Sequence, residues 1–211
     1  MPKTLHCYPQ QRRHGPSGIV KRIALDDRGA VIVEFGFVAA PFIALIFATL
    51  VTALIMFAQQ ALDTSAEAVA RELMTGQIQK GSVKVIDPAT GTAVNIDSNA
   101  KLKIRVCDKL KSNGMGFLKC SRVMVSVQKL ATFSAADYNS VTLNYDPTTG
   151  AVTNAPGTFD PIGQEEIGLI RVYYRWPKLM GPLLGFYTGN QSNGERLMVS
   201  NAIFKTETYN Q

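Results

Sequence analysis

The 211-residue sequence predicts an α+β protein in which a long N-terminal membrane-plus-stem helix carries a small domain with an antiparallel sheet. Three observations predict it. The segment from Phe35 to Ala58 carries no charged residue, and an amphipathic stretch follows it without interruption. Beyond residue 77 the periodicity changes from helical to alternating. Hydrophobic residues make up 46% of the chain and charged residues only 18%, which excludes disorder throughout.

Residues 1–29 contain Lys3, Arg12, Arg13, Lys21, Arg22 and Arg28 against Asp26 and Asp27. Residues 30–58 contain a single charge, Glu34. A helix needs about 20 apolar residues to cross a bilayer, and the apolar core of a secretory signal is about 7–15. The stretch is too long for the second and sufficient for the first. The basic cluster precedes it, so the positive-inside rule places residues 1–29 in the cytoplasm and the C-terminal part across the membrane. Pro41 weakens the helical ladder locally, a defect that membrane helices tolerate when neighbours satisfy the freed carbonyl. Gly36, Ala40, Ala44 and Ala48 recur every fourth residue and form a ridge over which another helix can approach closely.

From Gln59 the sequence reads QQALDTSAEAVARELMTG, with Leu62, Ala66, Val69 and Leu73 at spacings of three and four. Arg71 in the last turn and Gly76 just beyond it suit a helix terminus. The stem is therefore residues 59–76 and the globular domain residues 77–211. VMVSVQ (Val123–Gln128), GLIRVYYRW (Gly168–Trp176) and LMVSNAIFKTETY (Leu197–Tyr209) read as strands, with VKVI (Val83–Ile86) and VTLNY (Val141–Tyr145) as weaker ones. KLKIRVCDKL (Lys101–Leu110) fits both periods, and the capping residues Ser98 and Asn99 favour a helix. Pro88–Asn95, Tyr145–Gly150 and Asn154–Asp160 read as loops.

Cys107 and Cys120 both fall on the far, oxidising side of the membrane, whereas Cys7 lies on the cytoplasmic side. A disulfide closing a loop of that size contributes about 3 kcal/mol in the chain-entropy model; two unlinked buried thiols are the alternative.

Both histidines, His6 and His14, lie in the N-terminal tail, so the globular domain has none. That removes Ser-His-Asp and Cys-His arrangements and makes a closed zinc site improbable. No phosphate loop or dinucleotide fingerprint is present. Glu165 and Glu166 read as a solvated turn, not a catalytic carboxylate pair. The basic tail is accounted for by orientation and anionic lipid, without nucleic acid. The reading is of a protein that is not an enzyme and needs no cofactor or metal.

PKLMGPLLGFY (Pro177–Tyr187) holds Leu179, Met180, Leu183, Leu184, Phe186 and Tyr187 among two prolines and two glycines. A regular helix or central strand is improbable there. These side chains either cover the protein's own core or form a patch for a partner.

RGAVIVEFGFVAAPF (Arg28–Phe42), ALDTSAEAVARELMTGQIQ (Ala61–Gln79) and the pair LIRVYYRWP and LMVSNAIFKTETY together resemble the TadE-like proteins of bacterial Tad (tight adherence) pilus systems. The two-cysteine segment before VMVSVQ is similar to a subset of that family. The resemblance implies a structural minor pilin, or pseudopilin, acting in pilus initiation, tip or assembly. Its place would be the inner membrane, single-pass, with a periplasmic head and the option of entering the pilus. The implied partners are other pilins, the inner-membrane assembly platform, membrane lipid and a prepilin peptidase. Some family members are cut after a Gly with Glu at the fifth mature position; here that is the bond between Gly29 and Ala30, with Glu34 as the assembly carboxylate. Phe35 stands where processed members often have Tyr. The rival reading from another class is a membrane-tethered periplasmic sensing or ligand-binding module outside any filament.

Overall fold

The computed structural model describes residues 27–138, 141–178 and 189–209, with side chains in the first helix from Val33 onward. The chain divides into two compact units at Leu50/Val51. Helix α1 (Asp27–Met74) contributes its first half to the first unit and its second half to the second. A hairpin of β1 (Lys84–Ile86) and β2 (Ala93–Asn95) follows, then α2 (Asn99–Ser112) and β3 (Val123–Leu130). The chain closes with β4 (Ile167–Trp176) and β5 (Arg196–Lys205). The architecture is α+β, a long N-terminal helix followed by a small domain with antiparallel sheets.

The main sheet has the order β3-β4-β5, antiparallel throughout. Its register places Val125 opposite Val172 and Tyr174 opposite Met198. Because side chains alternate along a strand, Val123, Val125 and Val127 share a face with Ile170, Val172, Tyr174 and Trp176. That face packs on the second half of α1 and on α2. Leu62, Ala66 and Val69 are fully buried there, as are Leu102 and Val106 from α2. The stripe read from the periodicity is thus the core-facing stripe of the helix. The core reaches up α1 to Ile55 and Ala58, inside the stretch that hydropathy alone assigns to lipid. Leu143, Tyr173 and Leu197 form a smaller cluster on the opposite face. With both faces covered, β4 reads as a nearly unbroken apolar run.

Several elements depart from the sequence reading. Pro88–Asn95 contains β2, paired with β1 across a tight turn at Gly91, whose φ is +68°. Val141–Tyr145 is not a strand; Tyr145 makes an isolated bridge to Val152. There the Asn154 side chain takes the backbone positions that a neighbouring strand would fill, donating to Thr142 O and accepting from Asn144 N–H. The last strand stops at Lys205, not at Tyr209, because the chain leaves the sheet after Thr206 and turns to α1. Thr206 N–H donates to Glu166 O, and Glu207 N–H donates to Met74 O at the end of α1. The ambiguous segment around Lys101–Leu110 is helical, with Ser98 at the N-cap position.

Candidate assembly and membrane-facing site

The first half of α1 is a helix with a bare apolar surface. Phe35, Phe37, Val38 and Phe42 are all more than 60% exposed, and Glu34 is exposed among them. A soluble helix would bury one such stripe; this one buries none of these four within its unit. The window that begins at Val33 is long and apolar enough to cross a membrane. Pro41 lies inside the helix without ending it. Gly29 and Ala30 fall in the first turn, so a peptidase that binds an extended chain must first unwind that turn. Gly36 and Ala40 are exposed, Ala44 and Ala48 half-buried, and a Cβ added at Gly36 would meet nothing within 4 Å. The ridge therefore has room for a close neighbour at its N-terminal end.

The stem is fixed to the head by an ion cluster that no local pattern announces. Glu72, on α1, accepts from Arg105 Nε at 2.9 Å and Arg105 Nη2 at 2.6 Å, a bidentate pair, and Lys109 Nζ stands 2.9 Å away. Burial pushes the Glu72 carboxyl up, but the hydrogen bonds from Arg105 and Lys109 outweigh it and hold the group below the ordinary glutamate range. The same contact raises Arg105. The i, i+4 spacing of Arg105 and Lys109 puts both cations on one face of α2, toward Glu72.

The end of the stem is closed by residues from the far end of the chain. Gly76 has φ +70°, and its N–H donates to Leu73 O, while Gln77 N–H donates to Glu72 O. The Tyr209 ring lies against Gly76 where a Cβ would otherwise sit. Gln164 Nε2 donates to Tyr209 O at 2.7 Å, and Lys80 Nζ stands 5.4 Å from the centre of the ring. The Gly76 terminus was legible from sequence; its partner Tyr209 was not.

Cys107 on α2 and Cys120 stand at disulfide distance, their Cα atoms 5.8 Å apart. Glu166 accepts from Lys129 Nζ and from Gly163 N–H, and Glu165 sits in the turn with φ 60°. These are the bonds of a tethered turn. The apolar set Leu179, Met180, Leu183, Leu184, Phe186 and Tyr187 lies outside the described residues.

Two of the concave features lined by described residues lie on the head. One, of about 450 Å³, is walled by Leu54, Phe117, Leu118, Tyr174, Trp176 and Pro177, with Lys119 and Arg122 at its polar edge. The other, of about 420 Å³, brings Gln79, Asp97 and Asp160 together with Ile78, Ile96 and Phe159. Beside the first, Arg122 Nη1 donates to Glu195 Oε1 at 2.8 Å and to Arg175 O at 3.3 Å. Burial raises the Glu195 carboxyl, but the bonds from Asn193 and Arg122 prevail and keep it low.

Residues 29–71 match the family model of TadE-like protein. The match begins at the Gly before Ala30, runs through Glu34 and the exposed apolar turns, and ends in the buried stem. No curated protein and no solved structure matches the chain significantly.

Proposed function

We propose that this chain is a structural, pilin-like subunit of a Tad-type pilus, anchored in the inner membrane by the first half of α1. Its head lies in the periplasm, and it acts as a minor pilin in initiation, tip formation or assembly. The observation that carries the reading is the extent of the family match along α1. The TadE-like match spans the bare apolar turns and the buried stem of one helix, where one part is free to meet lipid or other subunits and the other is locked into a folded head. The basic residues ahead of Ala30 set the orientation.

Glu34 supplies a mechanism for register. A carboxylate among apolar turns is costly in lipid, and a cation on a neighbouring subunit offsets that cost at one axial position only. If a prepilin peptidase cuts between Gly29 and Ala30, the new amine of a neighbour is that cation. The subunit then works by packing, through Gly36, Ala40, Ala44 and Ala48, and by charge pairing, without covalent chemistry of its own. Glu34→Gln is expected to reduce incorporation into filaments while leaving the melt of the head unchanged.

Fractionating cells into sheared filaments, membranes and soluble material tests the reading. The protein should be found in membranes or filaments, and N-terminal sequencing should begin at Ala30. A mature chain that always begins at Met1 or Pro2 removes the processing step and leaves the anchor. The second cleft, with Gln79, Asp97 and Asp160 converging, is what a tethered ligand-binding module would use. That reading gains if the chain stays in membranes and its loss leaves filaments intact.

A further inference from the structure

The apolar cleft walled by Leu54, Phe117 and Trp176 opens where α1 is about to leave the uncharged stretch. Leu54 is four residues before Ala58, about 6 Å along the axis, and it is 47% exposed. Ile55 and Ala58 beside it are buried in the head core, whereas Met56 and Phe57 are 65% and 61% exposed. The head therefore grips one side of these last apolar turns and leaves the other side bare. If α1 is the anchor argued above, on which this inference rests, the cleft faces the zone where acyl chains meet headgroups.

Its composition fits that zone. Phe117 is 56% exposed, an expensive position in water. Trp176 and Tyr174, both buried, pack edge to face with centroids 6.3 Å apart and give the cleft an aromatic wall. At the polar edge the Arg122 guanidinium is already engaged by Glu195, and the exposed Lys119 stands beside it. The volume of about 450 Å³ lies within the range of small-molecule sites, about 300–1,000 Å³.

We infer that this cleft binds one anionic phospholipid, with an acyl chain against Leu54, Phe117 and Trp176 and the phosphate on Lys119. The bound lipid fixes the depth and tilt of the head at the membrane face.

Native mass spectrometry of the full chain, released from bilayers of phosphatidylglycerol and phosphatidylcholine, reads the site. The wild type retains one phosphatidylglycerol in preference to phosphatidylcholine. Lys119→Ala lowers that retention about fivefold, the effect of removing one cation near an anionic surface. Leu54→Trp fills the cleft and abolishes retention while the chain still enters the bilayer. Equal retention in all three proteins, or no preference for the anionic lipid, overturns the assignment. So does a photoreactive group at Phe117 that couples to residues 179–187 of the same chain instead of to lipid. A chain that never enters the bilayer overturns anchor and site together; one that enters and retains nothing overturns the site alone.

Discussion

Glu72 joins two helices through contacts 33 residues away in sequence. Replacing it with Ala removes the carboxylate that Arg105 and Lys109 share and should cost about 2–3 kcal/mol, less than the about 3–5 kcal/mol for a fully buried pair because both cations keep some solvent. The pH dependence follows from the direction of its shift. The folded carboxyl is held below its unfolded value, so its contribution is fully present above about pH 4.3 and disappears as pH falls through the folded value. Glu195 has the same sign. Acid titration of the melt should show a loss below about pH 4.3 that Glu72→Gln makes shallower; an unchanged profile would remove Glu72 from the account. Gly76 carries a second prediction at this scale. Gly76→Ala meets both the +70° φ and the Tyr209 ring, so it should lower stability by more than about 1 kcal/mol. Gly91→Ala, equally left-handed but with nothing within 4 Å, should cost less. Equal losses at both would mean that the ring contributes nothing.

Among the elements, α2 is held in its middle turns by two different means, the ion cluster through Arg105 and the cysteine pair through Cys107. Cys107 and Cys120 should be found linked in non-reduced peptide maps, and replacing both with Ser should lower stability by about 2–5 kcal/mol. Free thiols on exported protein would contradict this. Here the limits of sequence reading become physical. The stem and β3 were legible because each has a run of its own period, and β4 and β5 because each is a long stretch rich in apolar, β-branched and aromatic residues. Leu62, Ala66, Val69 and Leu73 fall on one stripe, and Val123, Val125 and Val127 on one face. The hairpin β1–β2 was only half legible: three residues a side carry too little alternation, and Pro88 obscured its second strand. Val141–Tyr145 alternates correctly and still makes no ladder, since Asn154 takes the backbone groups that a strand would use. Of the candidate site, Glu34 and the ridge were visible as local pattern. The Glu72 cluster and the Leu54–Trp176 cleft were not, because residues distant in sequence build them.

For the whole molecule, one helix does two jobs divided at Leu50/Val51. Its first half offers apolar surface and the Glu34 carboxylate to the surroundings, and its second half is spent on an internal core. Leu62→Ala should therefore destabilise the head by about 2–5 kcal/mol, whereas Phe37→Ala should leave the melt unchanged and act only where helices or lipid meet α1. A structural subunit of a pilus is required for filaments to form. The most direct measurement counts surface filaments by electron microscopy in cells lacking the chain and in cells complemented with wild type or Glu34→Gln. The account predicts that filaments disappear with the chain, return with wild type, and return only in part with Glu34→Gln. Filaments of normal number and length in cells that lack the chain would contradict it.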